Sequence, residues 1–183
     1  MPVVIEHEQL PVREARAGDA GAWNILFKRY QLPLYTYVFE LVHHEQTSLD
    51  IVQECFISAA RHIASLRVDG KFGSWLFGIA HQKCVQHWRK RRPDSVPIEE
   101  EEDLVGDVAG PAELLISQEQ EAEFLAALDR LSPPHREVLL LHFIEEFSIE
   151  EIAGITGARP GTIKSRLHYA KDALRHLLTK PSE

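Results

Sequence analysis

The chain has 183 residues, 44% of them apolar and 26% charged, which excludes a disordered or collagen-like polypeptide and fits one large globular domain or two small ones. Its formal charge of −8 at pH 7 excludes a protein that grips nucleic acid by bulk charge alone. The acid is concentrated: residues 1 to 93 carry 12 basic and 9 acidic side chains, residues 94 to 122 carry none and 10, and residues 123 to 183 carry 8 and 9. Without the middle segment the chain is +2, so the acidity belongs to a connecting stretch between two bodies. No apolar run approaches the roughly 18 residues that span a bilayer. The opening MPVVIEHEQL has acid where a secretory leader has base. Cys55 and Cys84 each fall on an apolar helical stripe, the pattern of buried reduced thiols. A cytoplasmic protein without membrane insertion is expected.

In chain order, Asp19 caps a predicted helix with apolar positions at Trp23, Leu26, Phe27, Tyr30, Leu34, Val38, Leu41 and Val42, with a kink or break expected near Pro33. A second helix is predicted from Thr47 or Ser48, burying Val52, Cys55, Phe56, Ala59, Ile63 and Leu66 and leaving Asp50, Gln53, Glu54 and Arg61 outward. A third runs from about Phe72 to Arg92, with Leu76, Ala80, Cys84 and Trp88 at four-residue spacing. It ends in Trp88, Arg89, Lys90, Arg91 and Arg92, a basic cluster beside an aromatic, which suits single-stranded nucleic acid. Trp75 and Trp88, taken singly, read as core.

From Pro93 to about Pro111 proline, glycine and an acidic block replace periodicity, the composition of an extended linker. Its roughly 19 residues at about 3.3 Å each reach at most about 60 Å. That is the length of roughly 17 base pairs at about 3.4 Å each, so the two bodies can touch well-separated sites. Beyond it, helices are predicted over Leu114 to Leu131, from Ser132 with Pro133 and Pro134, and over two further segments.

Those last two segments are the most informative. Ser148 and Glu151 have capping-box spacing, Ile149, Ile152, Ala153 and Ile155 point inward, and Gly157 stands where a left-handed residue ends a helix. After a turn over Gly157 to Arg159, Pro160 suits a first helical position. Ile163, Leu167, Ala170, Leu174 and Leu177 form a buried stripe opposite Thr162, Lys164, Ser165, Arg166, His168 and Lys171. This is a helix-turn-helix whose second helix offers donors to a major groove.

Ten histidines raise the question of a metal, above all at His81, Cys84 and His87, but i and i+3 share a helix face whereas i+6 turns away. No Gly-rich phosphate loop and no nucleophile with a paired base appears, so no metal, no cofactor and no enzymatic activity are expected.

LFKRYQLPLYTYVFELV, LDIVQECFISAARHI, KFGSWLFGIAHQKCVQHWRKRR and LDRLSPPHREVLLLHFIEEFSIEEIAGITGARPGTIKSRLHYAKDALRHL together resemble successive segments of bacterial RNA polymerase sigma factors. The resemblance is to the extracytoplasmic function (ECF) group of the sigma-70 superfamily, which has only the family's second and fourth regions. It implies an all-α fold of two small helical domains: an N-terminal arm over 1–18, region 2 over 19–92, an extended acidic linker over 93–113, and region 4 over 114–183. It implies a protein that binds core RNA polymerase, recognises −10 and −35 promoter elements and helps open DNA. The family's linker looks like a mimic of nucleic acid, and an anti-sigma antagonist is common. A stand-alone helix-turn-helix regulator is the alternative, and it requires an effector pocket or receiver-like domain that the first half lacks.

By the same resemblance, Asp50, Gln53, Glu54 and Phe56 match the contact with the clamp helices of the polymerase largest subunit. Leu66, Arg67, Lys71, Phe72 and Trp75 match the loop that captures a flipped −10 base, which offsets the cost of unstacking it. Arg89, Lys90, Arg91 and Arg92 match the upstream duplex contacts, and with Trp88 they complete the −10 DNA-binding set. Arg159, Gly161, Thr162, Lys164, Ser165, Arg166, His168 and Lys171 lie on the helix matching the one that reads the −35 element. His81, Gln82 and Gln86 depart from the family's Arg, Asn and Asp, and Arg159 stands where a small capping residue is common.

Overall fold

The computed structural model describes residues 10–91 and 118–179. All regular structure among them is helical: α1 (Val12–Arg16), α2 (Ala20–Val42), α3 (Glu45–His62), α4 (Phe72–Arg91), α5 (Gln118–Asp129), α6 (Pro133–Ile144), α7 (Ile149–Thr156) and α8 (Pro160–Thr179), with two short 3-10 turns between α3 and α4. The fold is all-α, as the sequence predicts. The acidic linker and Arg92 lie outside the described residues.

Asp19 caps α2 as expected, its Oδ1 accepting from the Ala22 amide at 2.7 Å. Neither break nor stop occurs at Pro33; α2 runs on to Val42. Proline in a helix interior costs about 3 kcal/mol. Leu26, Tyr30, Leu34, Tyr37 and Val38, on both sides of it, are all buried, and each such side chain contributes roughly 1.5–3 kcal/mol. Packing therefore outweighs the local penalty. The start of α3 also differs from the prediction. His44 is the cap, its Nδ1 accepting from the Thr47 amide at 3.2 Å, while Ser48 lies inside the helix and donates back to the His44 carbonyl.

Within the predicted N-terminal arm, α1 buries Val12 and Ala15 against α2, and the Trp23 indole donates to the Ala15 carbonyl at 2.9 Å. Arg16 reaches the segment after α3, donating to the Leu66 carbonyl at 3.0 Å and to Asp69 at 2.7 Å. The Arg16 hydrogen bond holds the Asp69 carboxyl below its usual range.

In the second half the capping box forms as its spacing predicts. The Glu151 amide donates to Ser148 Oγ at 3.2 Å, and the Ser148 amide to Glu151 Oε2 at 3.0 Å. Gly157 follows at φ 74°, a left-handed conformation that glycine adopts without a Cβ penalty. The linker reading left the two bodies free to stand apart. In the structure they pack together, α7 on α4 and α6 on α2, with the rings of Phe77 and Phe147 meeting edge to face at 5.3 Å.

Candidate nucleic-acid and polymerase interfaces

The first surface lies on α3. Asp50, Gln53 and Glu54 are exposed, and Phe56 is half-buried with its ring 4.8 Å from that of Phe27. Gln46 donates to Asp50 at 3.0 Å, and Lys83 of α4 pairs with Glu54 at 3.1 Å. Leu49 is 46% exposed and Ile57 44%. Large apolar side chains thus stand open beside carboxylates on this face of α3. Leu49 and Ile57 escaped the sequence reading, although positions 49, 53, 56, 57 and 60 share one helical face.

The second surface follows α3. Arg67 is exposed, and Lys71 is exposed but paired with Glu151 of α7 at 2.7 Å. Leu66 and Phe72, both predicted to face DNA, are buried. The Phe72 ring lies 5.6 Å from Tyr30, 5.9 Å from Trp75 and 6.4 Å from Trp23, so it anchors the segment from inside and presents no face to a base. Trp75 and Trp88 are half-buried, and Arg89, Lys90 and Arg91 are exposed at the end of α4.

Trp75 lines a cleft of about 340 Å³ between α3 and α4, with Ile79, Gln82, Gln86, Ser58 and His62 among the other walls. Two of the three departures from the family pattern, Gln82 and Gln86, therefore share one site. Ser58 and His62 were missed because the only signal is proximity across two helices. The third departure, His81, is elsewhere: its Nδ1 lies 2.6 Å from Glu137 of α6.

On α8 and just before it the exposed polar face is narrower than the helical wheel predicts. Arg159, Lys164 and His168 are exposed, while Gly161, Arg166 and Lys171 are half-buried. Thr162 and Ser165, assigned to the outer face, are buried, and Ser165 Oγ donates to the Gly161 carbonyl at 3.1 Å. A short hydroxyl can turn back onto its own backbone and remain satisfied away from water. Lys171 lies over the Phe143 ring at 5.8 Å, and burial pulls its pKa below the usual lysine value.

The family model of sigma-70 region 2 matches residues 26–93, and that of sigma-70 region 4 matches residues 121–174. The RNA polymerase sigma-H factor of Pseudomonas aeruginosa is 31% identical over 92% of this chain and 92% of its own length. The ECF RNA polymerase sigma-E factor of Escherichia coli is 30% identical over 91% and 92%. The chain belongs to the sigma-70 family, in its ECF group. A solved structure of the sigma factor RpoE of Bartonella quintana, in complex with the anti-sigma factor NepR, is 28% identical. It covers 86% of this chain and 98% of its own, with a TM-score of 0.63. The acidic face of α3, the Trp75 cleft and the basic end of α4 all lie within the sigma region 2 match, and the helix-turn-helix within the region 4 match.

Among the described residues no helix is long and apolar enough to cross a membrane, and no group of three His, Cys, Asp or Glu side chains is placed to hold a metal.

Proposed function

We propose a division of labour for this sigma factor, which binds core RNA polymerase and directs promoter-specific initiation. Residues 19–92 act as one unit and 114–183 as another, joined by 93–113. The α3 face, with Asp50, Gln53 and Glu54 exposed beside Leu49 and Ile57 and Phe56 seated against Phe27, docks on the clamp helices of the polymerase largest subunit. Arg67, Lys71 and Trp75 meet the −10 strand, with Leu66 and Phe72 supporting them from within. Trp88 and the cations Arg89 to Arg92 follow the upstream backbone. Arg159, Lys164, Arg166 and His168 approach the −35 major groove. Gly161 allows close approach there, Thr162 and Ser165 brace the helix, and Lys171 sits at the edge.

One observation carries this reading: a single chain holds both an acidic, partly apolar protein-docking face and a capped helix-turn-helix with exposed cations at the start of its second helix. An acidic docking face gains nothing from DNA, so two partners of opposite character are needed. The protein works by binding, not catalysis, in the cytoplasm where polymerase acts. An anti-sigma protein is a third partner, as NepR is for the Bartonella quintana factor.

Run-off transcription with purified core polymerase tests the proposal. Addition of the chain is expected to start transcripts from a restricted promoter set in a genomic library, and Asp50→Lys with Glu54→Lys to abolish this while leaving helicity unchanged. Absence of stimulation on every template refutes the reading.

A further inference from the structure

The segment between α3 and α4 is tied to α1 on both sides of its tip. The tip is Arg67 and Val68, both exposed, Val68 by 58%. The Arg16 guanidinium donates to the Leu66 carbonyl at 3.0 Å, just before the tip, and to Asp69 Oδ1 at 2.7 Å, just after it. Its Nε reaches the Ile63 carbonyl beyond the end of α3 at 3.5 Å. Arg13, one turn earlier on α1, donates to the other Asp69 oxygen at 3.3 Å. A guanidinium carries its donors in a rigid fork, so acceptors that meet it together are fixed relative to one another. Arg16 is itself held in place. Val12 and Ala15 are buried against α2, and the Trp23 indole that bonds the Ala15 carbonyl also stands edge-on to Phe72, the first residue of α4, at 6.4 Å.

Stability gives little reason for this arrangement. The side chains of Arg16 and Asp69 are each 32% exposed, so water can replace either partner, and ion pairs open to solvent contribute little to folding. Shape is the larger consequence. The backbone bonds of the segment, from the Leu66 amide to the Ile63 carbonyl and from the Lys71 amide to the Val68 carbonyl, leave the span from Leu66 to Asp69 to be closed by the arginine. We infer that Arg16, assisted by Arg13, is a positioning residue for −10 recognition: α1 presets the tip, so that Arg67 and Val68 meet the DNA strand already in place. The inference rests on the reading of this segment as a −10 contact. A tip ordered beforehand has no freedom left to lose on binding, and affinity rises accordingly. Ordering the backbone of one residue corresponds to about tenfold in affinity.

The test uses holoenzyme assembled from core polymerase and the full chain, with a pool of end-labelled single-stranded DNA whose centre is randomised. The parent holoenzyme is expected to enrich a sequence that core polymerase alone does not. Arg16→Ala is expected to bind that sequence about tenfold more weakly, with circular dichroism and affinity for core polymerase close to the parent's. Arg16→Lys keeps a charge for Asp69 but not the fork, and should recover only part of the loss. The double variant Arg16→Ala with Arg67→Ala separates positioning from contact. If Arg16 acts through the tip, the double variant binds within about twofold of Arg67→Ala alone. A double loss equal to the product of the two single losses overturns the proposal, as does parental affinity in Arg16→Ala. If Arg16→Ala does not fold, Asp69→Ala, which removes the acceptor on the tip side, replaces it with the same outcomes. A loss in Arg67→Ala without one in Arg16→Ala sinks the positioning role alone, whereas parental affinity in Arg67→Ala sinks the −10 reading of the segment.

Discussion

The helix-turn-helix and the seam between the halves are both small packed contacts, but they are assembled over different distances along the chain. In the first, Ser148 and Glu151 bond three residues apart, and the Gly157 amide returns to Ala153. In the second, Tyr37 meets Glu137 across 100 residues, and Arg29 meets Glu145 across 116. Local bonds form with the helix that contains them and cost little loop-closure entropy. Bonds of the second kind exist only after two finished bodies have met. The seam thus depends on residues far apart along the chain, whereas the helix-turn-helix is held by neighbours.

The three tryptophans, Trp23, Trp75 and Trp88, all lie in the first half, so their fluorescence follows that half alone while circular dichroism follows both. Ile163→Ala, at a fully buried position of α8, is expected to cost about 2–5 kcal/mol. It should shift the dichroism transition in urea strongly and the tryptophan transition only by what the seam contributes. Coincident large shifts would show the two halves to be one cooperative unit. The buried Arg136 guanidinium donates to the Leu128, Asp129 and Glu40 carbonyls. Arg136→Met comes next, at about 3 kcal/mol, since it strands these carbonyls at roughly 1–3 kcal/mol each. Because those carbonyls belong to both halves, both transitions should move.

The same contrast accounts for what the sequence reveals. Helix identity, the capping box, the Gly157 stop and the inward stripe of α8 follow from neighbours three or four residues apart, and all are legible. The break expected at Pro33 does not occur because its local penalty is readable while the burial of Tyr30, Leu34 and Tyr37 that outweighs it depends on distant helices. His44 escapes as a cap because its ring nitrogen does what Ser, Thr, Asp and Asn oxygens usually do. Thr162 and Ser165 are polar by type and buried by position, which a wheel drawn from polarity inverts. Leu66 and Phe72 are buried for the opposite reason, since an apolar and basic segment says nothing about which of its apolar side chains turn inward. Glu137 and Arg136 look like ordinary surface charges of a helix, and only the assembled seam shows their partners.

A smaller effect isolates the local device. Ser148→Ala removes the cap of α7 and is expected to cost about 1 kcal/mol, moving the dichroism transition and leaving the tryptophan transition in place. Movement of both by equal amounts would show that the cap also supports the seam, through the Glu151 that Ser148 positions for Lys71.

The smallest effect divides the rim of the seam by pH. Glu151 and Glu145 both pair with cations of the first half, yet they titrate in opposite directions. Burial alone would raise Glu151, but hydrogen bonds from Lys71 and Ser148 outweigh it and hold the carboxyl below its ordinary value. Its contribution is therefore present at neutral pH and is lost as pH falls through that lowered value. Glu145, with its side chain 3% exposed, is raised by burial despite Arg29, so its charged form opposes folding and the opposition fades as pH falls through the raised value. Glutamine mimics the protonated acid at both positions. At pH 7 Glu151→Gln is expected to be less stable than the parent and Glu145→Gln at least as stable. The Glu145→Gln gap should close first on acidification, above the ordinary carboxylate range, and the Glu151→Gln gap only below it. The Lys71–Glu151 pair is partly exposed, so the second gap should stay within about 1 kcal/mol. Urea midpoints measured between pH 7 and pH 3 decide the order. If both gaps have the same sign, the seam does not bury Glu145 in solution and the halves meet there less closely than at Glu137.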